Sequence, residues 1–159
     1  MEVASRQLSR DEYPAPLREI PQPPERLYTR GTWPKDGTRY LAVVGSRDLS
    51  DYGRAACEQL ITGLAGYPIT IVSGMALGAD ACAHEAALNA ELHTIAVLGS
   101  GVDDASLYPR TNVGVAKNIL EGGGLIISEH ADGYRALPYN FPERNRIVVG
   151  LSHAVLIIE

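Results

Sequence analysis

From residue 40 onward, short continuous apolar runs alternate with longer segments whose apolar residues recur at helical spacing. The runs at 40–45, 69–73, 94–98, 124–128 and 154–159 show no polar alternation, the pattern of parallel strands covered on both faces. The segments between them carry helix signals. In the first, Ser50 or Asp51 can act as a cap, Ala56, Leu60 and Leu64 recur every four residues, and Gly66 with Pro68 beyond it forms a stop. The second, over about 79–91, is rich in alanine and suits close packing on a sheet. The third spans about 112–121 and ends in the glycines at 122–124. The fourth starts near Phe141, with Pro142 in its first turn, where a missing N–H costs nothing. This alternation predicts an α/β fold: a doubly wound, mostly parallel sheet of Rossmann-like strand-helix order.

Residues 1–39 break the pattern. They hold most of the ten prolines, too many for a continuous helix or a central strand, and predict an extended arm. Tyr13, Leu17, Ile20, Leu27, Tyr28 and Trp33 recur through it, which predicts packing on the domain rather than a free tail. The chain is thus read as an arm over 1–39 and a core domain over 40–159. Its last residues, AVLIIE, read as a buried strand, so part of the fold is expected to lie outside this sequence unless it is a short variant. Cys57 and Cys82 fall in helical segments without metal-ligand company, which predicts reduced core thiols and no metal site. No run nears the roughly 18 apolar residues of a membrane span, and the N-terminus lacks a signal-peptide core, so a cytoplasmic location is expected.

The net charge of −5 argues against holding nucleic acid by bulk electrostatics. Position qualifies that. From residue 40 the basic residues are Arg47, Arg54, Arg110, Lys117, Arg135, Arg144 and Arg146, and most lie in or beside loops that follow strands. A few cations so placed can line a local groove at the carboxyl edge of the sheet.

Four loops leaving predicted strands carry the chemistry. In GSRDLSDYG (45–53), Gly45 permits a sharp exit, Ser46 offers a hydroxyl, and Arg47 can present a forked donor to a phosphate beside a helix N-terminus. In SGMALGAD (73–80), Ser73, Gly74 and Gly78 resemble a phosphate turn but match neither the Walker nor the dinucleotide pattern. Asp80 and His84, four apart, could face each other as an acid–base pair; the plainer reading has Asp80 holding the glycine loop and His84 completing the packing. In GSGVDDASLYP (99–109), Gly99 and Gly101 open the loop, and Tyr108 either stacks a base or packs the loop. In YNFPERNR (139–146), Arg144 and Arg146 sit in the opening turns of a helix, where the dipole disfavours each by about 0.3–1 kcal/mol. An anion or a buried carboxylate should compensate. Residues two apart share no helix face, so at most one arginine meets a given ligand group, the other pairing internally with Glu129 or Asp80. Phe141 can stack on a base or staple the helix start.

Taken in order, YPAPLREIPQPPERLYTRG, VVGSRDLSDYG, IVSGMALGADACAH, TIAVLGSGVDDASLYP, LIISE and NFPERNRIVVGLSHAVLIIE resemble the DprA/Smf family of DNA-processing proteins over nearly the whole chain. The related cytokinin-activating hydrolases share the general fold but carry a PGGxGTxxE signature that is absent here. The resemblance implies a Rossmann-like domain that binds single-stranded DNA without catalysis or cofactor and helps load a RecA-type recombinase in natural transformation. It implies a site of Gly45, Ser46, Arg47, Ser73, Gly74, Gly78, Gly99, Gly101, Phe141, Arg144, Asn145 and Arg146, with a basic loop near Arg135. Homodimerisation is implied through elements beyond Glu159. A rival reading on the same crevice is a nucleotide sensor or nucleoside-phosphate N-glycoside hydrolase with Glu129 or Asp80 as the acid.

Overall fold

The computed structural model describes residues 3–159. Strands β1 (Arg6–Leu8), β2 (Leu27–Gly31), β3 (Arg39–Gly45), β4 (Ile69–Ser73), β5 (His93–Leu98), β6 (Leu125–Ser128) and β7 (Ala154–Ile158) form one sheet in the order β1-β2-β6-β5-β4-β3-β7. The five strands β3 to β7 run parallel; β2 is antiparallel to β6, and β1 to β2. Helices α1 (Ala15–Arg18), α2 (Asp51–Thr62), α3 (Ala79–Asn89), α4 (Val113–Glu121) and α5 (Asn140–Leu151) fill the connections. This is the α/β sheet that the alternation predicts.

Period-two alternation divides the strand residues between two faces. On one face, Ala42, Val72, Ile95, Val97, Leu125 and Ile127 pack on Ile147, Val148 and Leu151 of α5. Leu8, Tyr13, Leu17 and Leu27 from the N-terminal segment complete that core. On the other face, Val43 and Ile71 meet Cys57 and Ile61 of α2 and the alanines of α3, while Ala96, Leu98 and Ile126 meet Ala116 and Ile119 of α4. Burial raises both thiols, Cys57 to about 12, with the neighbouring Cys82 adding to the effect. They sit in the core as expected of reduced thiols.

Three features differ from the sequence reading. The buried stripe of α2 is Gly53, Cys57 and Ile61, and Leu60 is exposed. The face against the sheet is the small one, because glycine and cysteine let the helix approach. Second, the proline-rich segment contributes β1 and β2, and β2 is paired on both sides. Its proline-free stretch between Pro24 and Pro34 leaves every N–H available to the ladder. Third, β7, read as a buried strand, pairs with β3 alone among the described residues, and Ile157 is 71% exposed there.

From β3 the chain steps outward through β4, β5 and β6, then returns on α5 to place β7 on the far side of β3. Strand order therefore reverses between β3 and β7, the position where open α/β sheets form a crevice beyond their carboxyl ends.

Candidate functional site

The four loops meet at that edge and are welded to one another. Ala79 N–H donates to the Ser46 carbonyl (3.0 Å), joining the loop after β4 to the loop after β3. Gly78 makes the joint possible: its φ is +80°, and a Cβ there would lie 2.3 Å from the Ser46 carbonyl oxygen and 2.7 Å from the Arg47 backbone. The Asp80 carboxylate accepts from the N–H groups of Gly74 and Ala76 (3.2 Å each), holding the glycine turn from inside. Asn112 donates to the Met75 carbonyl (2.9 Å), which braces Met75 at φ +60°. A buried, bulky residue in the left-handed region costs about 1–2 kcal/mol, so this loop is held under strain by its neighbours.

The two arginines of α5 have different surroundings. Arg146 grips Glu129 through Nη1 (2.6 Å) and Nη2 (2.8 Å), and its remaining donors reach the Gln22 and Glu143 carbonyls. The carboxylate raises its pKa. Arg144 is 4% exposed and donates from Nη1 to the carbonyls of Gly74 (2.7 Å) and Val97 (2.8 Å) and from Nε to Asn145 Oδ1 (3.1 Å). Burial lowers its pKa, offset by the Asp80 charge. It ties the loop after β4 to the end of β5 from beneath.

The outer surface of the crevice is aromatic and cationic. The Phe141 ring lies 5.5 Å from the Arg47 guanidinium and 5.7 Å from that of Arg144, and its centroid is 5.4 Å from the Tyr108 ring. Gly99 lies beneath Phe141, where a Cβ would stand 3.3 Å from the ring. Arg47 is exposed, Tyr108 is 50% exposed, Leu77, Leu137 and Tyr139 are exposed on the same group of loops, and Tyr52 is exposed in the first turn of α2. A cavity of about 80 Å³ opens between Arg47, Gly74, Ala76, Leu77, Tyr108, Pro109, Phe141 and Arg144.

Other residues singled out from sequence serve the frame. Ser73 is buried and donates to the Val43 carbonyl (2.6 Å). Ser46 Oγ accepts from Asp48 N–H (3.1 Å), Gly45 packs against the Ile158 carbonyl, and Gly101 N–H donates to the Tyr134 carbonyl (2.9 Å). Arg135 is exposed on the loop between β6 and α5, which Asn140 orders by accepting from Tyr134 Oη (3.1 Å) and Leu137 N–H (2.7 Å). His84 is buried with Nδ1 2.7 Å from Thr94 Oγ1, and burial, reinforced by the Arg144 charge, pushes its pKa down to about 3. Among the described residues no cluster of His, Cys, Asp or Glu could hold a metal ion, and no helix is long and apolar enough to cross a membrane.

Residues 6–159 match the model of the family described as DNA recombination-mediator protein A. The chain belongs to that family. The Smf protein of Escherichia coli is 42% identical over 151 residues, covering 92% of this chain and 39% of the relative. The DNA processing protein DprA of Streptococcus pneumoniae is 39% identical over 149 residues, covering 94% and 51%. The X-ray structure of that pneumococcal DprA superposes with a TM-score of 0.87 at 38% identity, covering 99% of this chain and 54% of that one. A Helicobacter pylori DprA structure, described for its single-stranded DNA binding mode, gives a TM-score of 0.85 at 31% identity over 98% and 69%. The chain thus spans about half or less of the length of the curated relatives named here.

Within this recombination-mediator fold, three parts of the site escaped the sequence reading: Leu77 and Pro109 in the cavity wall, Asn112 bracing Met75, and Arg30. Arg30 is buried in β2 and donates to the Val102 carbonyl and to Asp104 (2.8 Å each), fixing the loop after β5. Only the prolyl turn of LYPRTN hinted at the second of these; nothing in the linear pattern marks Arg30.

Proposed function

We propose that this crevice binds single-stranded DNA and that the chain acts as a cytoplasmic, non-catalytic recombination mediator that passes the strand to a RecA-type recombinase. The observation that carries the reading is the cluster at the mouth of the crevice: the exposed Arg47 guanidinium and the half-exposed Tyr108 ring against the ring of Phe141. Arg47 and the helix N-termini suit phosphates, while Phe141 and Tyr108 suit the faces of unstacked bases. A duplex keeps those faces stacked and offers the rings nothing. Arg135 is a further exposed cation, on the loop between β6 and α5. The hydrolase reading finds no free acid, since Glu129 is committed to Arg146 and Asp80 to two backbone N–H groups.

The test is fluorescence anisotropy of a labelled oligo-thymidylate titrated at several salt concentrations, with duplex DNA and AMP as competitors. Binding should weaken linearly in log affinity against log salt, by about 0.7 per phosphate held, and resist both competitors. Displacement by AMP would point to a mononucleotide pocket instead. Phe141→Ala should remove about 1–3 kcal/mol of binding by the loss of stacking.

A further inference from the structure

Two cavities of about 340 and 480 Å³ lie among α4, the loop after β5 and the residues ahead of β1, and they share no lining residue with the crevice. Val3, Arg30 and Asp104 line both, so the two form one trough with the Arg30–Asp104 ion pair across its middle. Glu121 stands in the first cavity, beside Leu107 and Leu120; Asp103 and Asp132 stand in the second. Glu121 closes α4, where the helix dipole disfavours an anion, and it enters no ion pair among the described residues. Asp103 accepts from Gly133 N–H (2.8 Å) and Asp132 from the Ser5 hydroxyl (2.6 Å), yet neither meets a cation there. Arg30 keeps only 6% of its side chain exposed. Its Nε donates to the Val3 carbonyl, and Nη1 to the Val102 carbonyl and Asp104 (2.8 Å each), while Nη2 has no partner among the described residues and is not sealed from solvent. Because the guanidinium is planar, those acceptors also fix the direction of Nη2, a buried donor that is costly to leave unmatched.

We infer that the trough docks an extended segment of a partner protein, one that carries a lysine or arginine on each side of a main-chain carbonyl. The carbonyl accepts from Arg30 Nη2, one cation meets Glu121, and the other meets Asp103 and Asp132. Charge selects this occupant. Arg30 and Lys117 face the four carboxylates of Asp103, Asp104, Glu121 and Asp132, a balance that repels nucleic acid and favours a cationic partner. Arginine only donates, and a peptide carbonyl satisfies it without adding a negative charge to that surface. The segment must be extended because the Arg30–Asp104 pair divides the trough: a ligand centred in either cavity leaves the carboxylates of the other unmatched.

The test titrates the full chain with the peptide acetyl-Lys-Val-Gly-Val-Lys-amide and follows backbone amide shifts by NMR. The amides of Ala105, Leu120, Glu121 and Asp132 should move, with an affinity that falls as salt rises. The counterpart with glutamate in place of both lysines should bind at least about tenfold more weakly. Shifts confined to Arg47, Gly78 and Phe141 would assign the peptide to the crevice and overturn the proposal, as would no shifts at all. An alkene replacing each of the four peptide bonds in turn removes one carbonyl at a time. At one position the loss should be about tenfold, the value of a hydrogen bond to a charged donor; loss at none would rule out Arg30 Nη2 as the donor. Glu121→Gln combined with Asp132→Asn, in a variant that still unfolds cooperatively in urea, should weaken the lysine peptide about fivefold. Undiminished affinity would show that the peptide is held by the acidic surface at large and not by the trough.

Discussion

Gly78→Ala tests whether the crevice depends on the joint between its loops. The new methyl group would meet backbone atoms of Ser46 and Arg47, none of which can rotate away, so the loop carrying Arg47 must shift. The backbone at φ +80° adds strain of about 1–2 kcal/mol for a residue with a Cβ. Loss of the hydrogen bond from Ala79 N–H to Ser46 costs about 0.5–1.5 kcal/mol more. The variant should therefore lose about 1.5–3.5 kcal/mol, a large part of a domain's usual 5–15 kcal/mol. Displacing Arg47 from a phosphate should cost single-strand affinity about 10–100-fold, although every proposed contact residue is still present. Gly66→Ala supplies the control: its φ is +84°, but nothing lies within 4 Å of its Cβ position. It should pay the backbone strain alone and bind normally. Urea denaturation and anisotropy on both variants decide the matter. Equal destabilisation by the two substitutions, with unchanged DNA affinity for Gly78→Ala, would refute the argument.

Further expectations concern single groups. Arg47→Ala should weaken binding to all single strands alike and lower the salt slope by about 0.7, measured by anisotropy; a sequence-dependent loss would contradict a phosphate contact. Glu129→Gln should destabilise the fold by about 1–2 kcal/mol, reduced from the value of a fully buried pair because the two side chains keep 28% and 18% exposure. Urea midpoints for the variant and its parent check this. His84 stays neutral in the fold down to about pH 3, whereas its ordinary value is 6.5. Between those values the unfolded chain binds the extra proton, so this group's contribution falls by about 1.4 kcal/mol per unit as pH drops from 6.5 toward 3, and is constant above that window. His84→Gln should flatten the stability profile between pH 6.5 and 5, and an unaltered slope would show that the imidazole titrates freely.

The legible parts of this chain are those where local pattern and tertiary role coincide. Runs such as Leu125 to Ser128 are fully buried and could only be interior strands, and Ser50 caps α2 by accepting from Gly53 N–H (3.0 Å). The face of α2 was not legible because hydropathy ranks Leu60 above Gly53, while the sheet selects for small size. β2 carries Thr29 and Arg30, which look like solvent residues and are buried because their partners lie far along the chain; Arg30 meets Asp104. At the site, the pattern located the loops but not the orientation of each arginine. Arg47 faces out, Arg146 is held by Glu129, and Arg144 lies beneath the surface on the carbonyls of Gly74 and Val97. Spacing showed that the two arginines of α5 cannot act alike. Which one pairs inward depends on where β6 ends, a fact of topology.

The path of the N-terminal segment changes how the molecule can be cut. β2 lies against the outer side of β6, Leu17 and Leu27 fill the core under α5, and the Gln22 carbonyl holds an arginine of the helix that bears Phe141. A cut at the composition boundary near residue 39 would run through the sheet, stripping β6 of one neighbour and releasing Arg146 on one side. A fragment meant for a binding test should therefore begin before β1, because the segment expected to pack on the domain supplies two strands of its sheet.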